Sequence, residues 1–442
     1  MSIRHNLLPA LLLLTLAAGC GGQSERPGGI ILVSIDTLRP DHLGCYGYDK
    51  PTSPEIDALC SESVVFDQAT AHAPSTLPSH ASMMTSLLPQ HHTASWENRR
   101  ALPAEVTTLA EVLAAQGFRT AAFTGGGQID PSFGLSQGFE SYEVLAADDF
   151  QAIVDGATNW LDSIDDEPFF LFLHTYQVHH PYDPEPEIFE LFDTGYDGQL
   201  KNEISVDVIK TINRSDAEVP DAALRHIVST YDAEIREVDD AFGRLRLELQ
   251  ARSLWDPTVI ALTSDHGEEF GEHGFVGWHS HTLFDELLDV PLTIKFQGGE
   301  NAGRRIAELV RSIDIAPTLL KATDLRVPEE FSGIDLTALW SGREVPPLVS
   351  ISRLDRPDTA KVSAIRDERF KLIRLFSKRQ KLFDLEDDPE ELWDTWSNYP
   401  SDVKRLEAAY EDAVASRTVA NATTVDPDDE LVKELEALGY ID

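Results

Sequence analysis

Cysteine is scarce in this chain, with three residues in 442. Only Cys45 and Cys60 lie beyond the first twenty positions, so a disulfide-stapled scaffold is excluded and a single bridge is the most the body can form. Basic residues are also few: 36 Lys and Arg stand against 76 Asp and Glu, a formal charge of -40. Nucleic acid and acidic membrane surfaces are repelled at long range by such a chain, so no nucleic-acid partner is expected. An anionic substrate would have to be captured locally, and most of the acids read as a solvated surface. Long hydrophobic runs are missing too. The longest, at residues 7–18, is too short to cross a bilayer as a mature helix and follows Arg4 and His5, which marks a targeting signal. With 42% apolar residues the remainder is a globular protein able to bury one large core beside a smaller companion.

The targeting run ends in LAAGC at residues 16–20, which resembles the lipobox of bacterial lipoproteins, with Ala17 where leucine is more usual. The resemblance implies residues 1–20 as a cleaved lipoprotein-type signal, residues 21–29 as a flexible tether, and export to the cell envelope. The membrane would be touched only through a lipid anchor on Cys20.

Short β-rich apolar runs at residues 30–35, 119–123, 169–173, 259–263 and 290–296 have the length and composition of buried parallel strands, and helical stretches separate them. The fold class is therefore α/β. Tyr231, Ile235, Val238, Phe242, Leu245 and Leu249 recur every three or four residues along one long amphipathic helix, on which Asp232, Glu234 and Asp239 read as the polar face. After about residue 346 the texture changes to short strands near 348–351, 361–365, 371–375 and 381–385, then a charged helix near 402–415. This predicts a catalytic body over 30–345 and a small α+β subdomain over 346–442, with an acidic loop at 426–430 and no internal repeats.

Polar residues follow the strands in an ordered way. Asp36 comes after the first, His174 and His179 after the third, Asp265 and His266 after the fourth. Ligands in open α/β sheets bind outside the carboxyl ends of the strands, so these side chains are expected to share one cleft. In APSTLPSHAS, residues 73–82, Pro78 suits a first helical turn and places Thr76 just before the positive end of a helix over 79–88, a natural anion site. Two aspartates, a histidine and a hydroxyl are the ligand types a divalent metal needs. A metal-bound threonine alkoxide is a competent nucleophile. His80, His179, His279 and His281 are the candidate general acids. Arg39 is a candidate substrate contact that also suits an ion pair with Asp41, and His273 is a further candidate ligand.

Four blocks, SIDTLRPDHLGCYGY at 34–48, STLPSHASMMTS at 75–86, LHTYQVHHPY at 173–182 and LTSDHGEEFGEHG at 262–274, resemble in order those of the sulfatase family within the alkaline phosphatase superfamily. SIDIAPTLL at 312–320, KLFDLEDDPEE at 381–391 and LEALGYID at 435–442 are similar to its later segments. The resemblance implies an alkaline-phosphatase-like mixed, mostly parallel sheet flanked by helices, with a small C-terminal subdomain. It implies Asp36, Asp265 and His266 as metal ligands, with Thr76 on the nucleophile position and a further ligand, and His179 as the histidine that meets the substrate anion. His279 falls near the position of a substrate-binding lysine, and His281 joins His80 and His179 as a catalytic candidate. The partner implied is a sulfated or phosphorylated small molecule or glycan. The metal is open between calcium, manganese and zinc; the imidazole leans toward a borderline transition ion.

Three departures qualify this. Thr37 stands where the family carries a second acidic ligand, His80 replaces an arginine, and the lysine is absent with His279 and His281 nearby. A second metal would offset the missing charge if one of these histidines joined a further carboxylate, which the sequence does not identify. Above all, threonine cannot be oxidised to the formylglycine of sulfatases, so it must form an ester that water later attacks, a route suited to phosphoric mono- or diesters. The expected activity is therefore hydrolysis of a sulfate or phosphate ester. The alternatives are a non-catalytic binding protein on the same fold, or a group transferase, a class whose superfamily members usually carry several membrane spans.

Overall fold

The computed structural model describes residues 28–215, 217–356, 361–375, 380–415 and 421–441. The signal and lipidation site fall outside them. The end of the expected tether does not: the Gly28 amide bonds to the Pro257 carbonyl at 3.0 Å, and Gly29 opens the first strand, where a Cβ would overlap the Phe169 ring.

The strands, in chain order, are β1 (Gly29–Ile35), β2 (Val64–Thr70), β3 (Arg119–Thr124), β4 (Ser141–Val144), β5 (Phe169–Thr175), β6 (Thr258–Thr263), β7 (Glu269–Phe270), β8 (Val276–Trp278), β9 (Asp289–Lys295), β10 (Arg304–Ile306), β11 (Val310–Arg311), β12 (Ser350–Asp355), β13 (Lys361–Arg366), β14 (Phe370–Arg374) and β15 (Gln380–Asp384). A nine-stranded sheet runs β10-β2-β9-β6-β1-β5-β3-β4, with β11 also on β2. β1 lies at its centre, parallel to β5 and β6. Its alternate residues feed opposite cores, Ile30 and Leu32 one and Ile31, Val33 and Ile35 the other. A strand buried on both faces must be apolar throughout, which is why it is legible as a continuous run.

One expectation about this sheet needs correction, and one strand was not anticipated. β9, read as one more parallel strand, is antiparallel to both β6 and β2; an apolar run reports burial and carries no direction. β2 itself gave no clear signal, because Asp67 and Gln68 interrupt it where its register shifts between Phe66 and Ala69.

The long helix, Asp221–Ala251, forms as its periodicity predicts. Its acids are not a solvated face: Asp232 and Asp239 have no exposed surface and Glu234 has 4%. Asp232 takes His42 Nδ1 at 2.7 Å and Lys50 at 2.7 Å. Asp239 accepts the amides of Glu55 and Ile56 at 3.0 and 2.8 Å, the first turn of the helix Pro54–Ser61. Each buried carboxylate is thus matched to donors that helix periodicity cannot reveal.

Strands β12 to β15 form a separate antiparallel sheet, packed by the helix Pro400–Ala415 through Val403 and Leu406. Cys45 and Cys60 are bonded. The acidic stretch at 426–430 is not all loop: Asp428 caps a helix, Asp429–Ala437. That helix leaves the small sheet, burying Leu431 and Leu435 in the core of the large body. Among the described residues no helix is long and apolar enough to cross a membrane.

Candidate active site

The carboxyl ends of the three central strands supply the site. Asp36 follows β1, and its amide extends the ladder to the Thr175 carbonyl at 3.0 Å. Ser264, Asp265 and His266 follow β6, and His174 is the penultimate residue of β5. Facing them is the helix Thr76–Thr85, with Ser75 as its N-cap. The helix starts three residues earlier than Pro78 suggested, so Thr76 occupies the first turn. The Leu77 amide bonds to Gln128 Oε1 at 3.1 Å, and this end of the helix therefore holds one fewer free amide for an anion than expected.

Thr76 Oγ1 is 3.2 Å from Asp36 Oδ2 and 3.4 Å from His266 Nε2. His266 Nε2 is 3.4 Å from Asp265 Oδ2 and 3.9 Å from Asp36 Oδ1. None of the four residues has exposed surface. Asp36 Oδ1 and Asp265 Oδ2 have no hydrogen-bond partner, whereas the other Asp265 oxygen accepts the His266 amide at 2.9 Å. His266 Nδ1 faces the Gly267 carbonyl at 3.0 Å and so carries the ring proton, leaving the Nε2 lone pair turned to the cluster. Two orphaned carboxylate oxygens, an imidazole lone pair and a hydroxyl around one buried point fit a divalent cation. Burial, then the neighbouring Asp265 carboxylate, push Asp36 well above the usual carboxylate range, a strain that such a cation would relieve.

The other expected residues divide. His179 Nε2 lies 3.1 Å from the Tyr440 hydroxyl, and the His279 ring is 4.6 Å from that of His266 and 4.8 Å from that of His179; both belong to the site. His80 is turned away from the Thr76 hydroxyl. Its Nδ1 bonds to the Thr76 carbonyl at 2.9 Å and its Nε2 to Ser34 Oγ at 2.9 Å, so it braces the helix from behind. The structure does not bring His281 to Thr76: it pairs with Glu269 at 2.8 Å. Arg39 turns outward to Asp41 at 2.8 Å and Glu272 at 2.6 Å, and His273 pairs with Glu286 at 2.8 Å. Thr37, at the position of the family's second acid, is a β-branched residue at φ 56°, held there as its amide reaches Asp265 Oδ1 at 3.4 Å.

Three further residues contribute, of which His174 is expected from its place after a strand and the other two are not singled out by the sequence. His174 Nε2 is 3.4 Å from Asp36 Oδ2, and burial, followed by His80, holds it well below its ordinary pKa. Glu268 has no exposed surface and meets His279 Nδ1 at 3.1 Å. Tyr440 is the third: its hydroxyl is 3.1 Å from Thr76 Oγ1. It arrives on the helix Asp429–Ala437 through Gly439, at φ +79°, where a Cβ would press on Val206 and His180. A cavity of about 340 Å³ reaches Tyr440 from outside, lined also by Phe275, Trp278 and Gly439.

The family model described as Sulfatase matches residues 29–325, and one described as N-sulphoglucosamine sulphohydrolase, C-terminal, matches residues 271–411. The chain is 26% identical to the ulvan-active sulfatase of Formosa agariphila over 72% of its own length and 66% of that protein. It is 25% identical to human (Homo sapiens) arylsulfatase K over 89% and 84% of the two chains. Its fold is similar to that of the phosphonate monoester hydrolase of Agrobacterium radiobacter, with a TM-score of 0.73 at 21% identity over 91% of this chain and 100% of that one. It is also similar to a protein solved in complex with its substrate D-glucosamine-2-N,6-O-disulfate, with a TM-score of 0.74 at 20% identity over 89% and 99%.

Proposed function

From the premise that the chain belongs to the sulfatase family and is an ester hydrolase, we propose that Thr76 is its nucleophile and that a phosphoric mono- or diester is favoured over a sulfuric ester. The observation that carries the reading is the Thr76 hydroxyl among Asp36, Asp265 and His266, in place of the residue that would become formylglycine. A threonine can form an ester, but it lacks the second hydroxyl by which a formylglycine hydrate collapses and expels sulfate.

Asp36, Asp265, His266 and Thr76 would hold the divalent cation, which when bound lowers the pKa of the hydroxyl and neutralises the two carboxylates. Thr76 Oγ1 forms the new bond to phosphorus or sulfur as the bond to the leaving alcohol oxygen breaks. Water then cleaves the threonine ester and restores the hydroxyl. His179 and His279 are the groups that meet the anion. Burial, with His180 and His279 beside it, holds His179 well below its ordinary pKa; an anionic ester opposes that effect, so protonation of the ring and arrival of substrate favour each other.

Sulfated and phosphorylated glycans or small alcohols are the substrate class. Relatives named for sulfated substrates support the first member, and the phosphonate monoester hydrolase fold supports the second. The deciding experiment is mass spectrometry of the 73–82 peptide after brief incubation with paired phosphate and sulfate esters of one alcohol. A gain of about 80 mass units on Thr76, absent in Thr76→Ala, is the covalent ester of this route. Turnover with an unmodified peptide would assign the attack to water instead. A strong rate preference for sulfate would overturn the choice of phosphorus.

One observation favours the non-catalytic reading. The ligand side chains are sealed from solvent and the Tyr440 hydroxyl occupies the space above Thr76. Absence of turnover across the ester panel, with metal bound, would support it.

We also propose export and anchoring through Cys20, on the strength of the sequence at residues 1–20. Loss of membrane association in Cys20→Ala is the expected result, and retention would remove the anchor.

A further inference from the structure

Beside the Thr76 cluster lies a second set of ligand-type side chains. His179, His180 and His279 each offer a ring nitrogen within 4.8 Å of the others, and their residues are 1%, 2% and 4% exposed. The first two follow β5 of the large sheet and the third follows β8 of the separate two-stranded sheet β7-β8.

Two of the three Nδ1 atoms are engaged, while His180 Nδ1 is buried with no hydrogen-bond partner. His179 Nδ1 makes a short hydrogen bond to the His180 carbonyl. His279 Nδ1 is 3.1 Å from Glu268 Oε1, and His180 Nδ1 is 3.5 Å from Oε2 of the same carboxylate. An Nδ1 facing a carbonyl or carboxylate carries the ring proton, which leaves the lone pair on Nε2. Each ring thus offers one nitrogen within 4.8 Å of the other two in one buried place, and the Tyr440 hydroxyl lies 3.1 Å from His179 Nε2. Rings held from behind by a carboxylate or carbonyl are how proteins present histidine to a metal. Three such rings leave a fourth position open for substrate or water.

Charge points the same way. Asp36, Asp265 and Glu268 have no exposed surface, and among the described residues no lysine or arginine pairs with any of their carboxylates. A single divalent ion leaves this group anionic before an ester anion arrives. The cation that the family places at position 80 is missing, because His80 is bonded to Ser34 and to the Thr76 carbonyl.

We propose that His179, His180 and His279 form a second divalent-metal site, with Glu268 orienting His180 and His279, and that its ion meets an oxygen of the ester anion. An all-imidazole donor set selects a borderline ion such as Zn²⁺ over Ca²⁺. With this ion bound, His179 and His279 serve as its ligands rather than meeting the anion directly. The part it plays in turnover rests on the reading of Thr76 as nucleophile; the site itself does not.

The test is a metal count on the full purified chain, stripped with chelator and reloaded with Zn²⁺ or Mn²⁺, alongside His279→Ala, His180→Gln, Glu268→Gln and Asp36→Asn variants checked for folding by circular dichroism. Two ions per chain are expected, falling to one in His279→Ala, in His180→Gln and in Asp36→Asn. In Glu268→Gln the second ion should bind on the order of tenfold more weakly or worse. Reloading with Co²⁺ should give visible absorption, and the part of it that His279→Ala removes should be kept in Asp36→Asn. A single ion that His279→Ala retains, two ions that survive both histidine variants, or no ion at all would overturn the proposal. A single ion lost in Asp36→Asn alone would do so while leaving the first site intact. An ion lost only in the histidine variants would keep this site and overturn the first.

Discussion

The hydroxyl of Tyr440 lies 3.1 Å from that of Thr76, across 364 residues of chain. The same phenol reaches His179 Nε2 at 3.1 Å, so one side chain touches both the proposed nucleophile and the ring expected to meet the anion. Tyr440→Phe keeps the ring packed against Trp96, whose centroid is 5.6 Å away, and removes only these bonds. A neutral hydrogen bond contributes about 1 kcal/mol, so kcat should fall roughly fivefold in steady-state assays on a chromogenic ester. An unchanged kcat would make Tyr440 a packing residue.

Thr76→Ser should keep turnover within about tenfold, because the attacking oxygen and its ligand position survive. Thr76→Ala should lose on the order of a thousandfold or more. Residual activity in Thr76→Ala near that of the parent would remove Thr76 from the chemistry.

A divalent ion held by Asp36, Asp265 and His266 would offset the charge of two buried carboxylates. Stripping the metal should therefore lower the melting temperature, and restoring it at a hundred times its dissociation constant should return about 2.7 kcal/mol. Calorimetry with and without added Zn²⁺ or Mn²⁺ checks this, and the part of the effect belonging to this site should vanish in Asp36→Asn.

The seam between the two sheets contains a buried lysine. Lys371 Nζ, with no exposed surface, lies 2.7 Å from Asp285 and 3.0 Å from Glu391. Removing the cation strands Glu391, whereas Asp285 keeps Arg366 at 2.9 Å, so Lys371→Met should cost about 3 kcal/mol in urea unfolding at neutral pH or above. The cost should shrink on acidification as Glu391, which burial raises to about 7, takes up a proton.

His72 gives a pH dependence of the same sign from a different cause. Burial drives it down to about 4, against the 2.6 Å hydrogen bond of its Nδ1 to the Ile351 carbonyl of β12. A depressed histidine pKa means that the unfolded chain binds the proton first. The contribution is full above about pH 6.5 and is lost as pH falls through about 4, a change on the order of 3 kcal/mol. The stability difference between the parent and His72→Gln should therefore shrink between pH 7.5 and 4.5, with terms common to both chains cancelling. A difference independent of pH would contradict the assignment.

Much of this protein was legible along the chain. The central strands must be apolar because both their faces are buried, and an aspartate directly after such a strand stands out; Asp36, Asp265 and His266 were visible for that reason. What the order of residues could not convey was which loops meet. Glu268 looked like one acid among many until the fold set it against His180 and His279, and His281, two residues beyond His279, was carried instead to Glu269. Tyr440 reaches Thr76 only because Leu431 and Leu435 bury their helix in the large core. Periodicity and composition report local burial and local ligand chemistry, since both are written within a few residues. Convergence of distant side chains on one point depends on strand order and helix packing, and only the tertiary structure decided it.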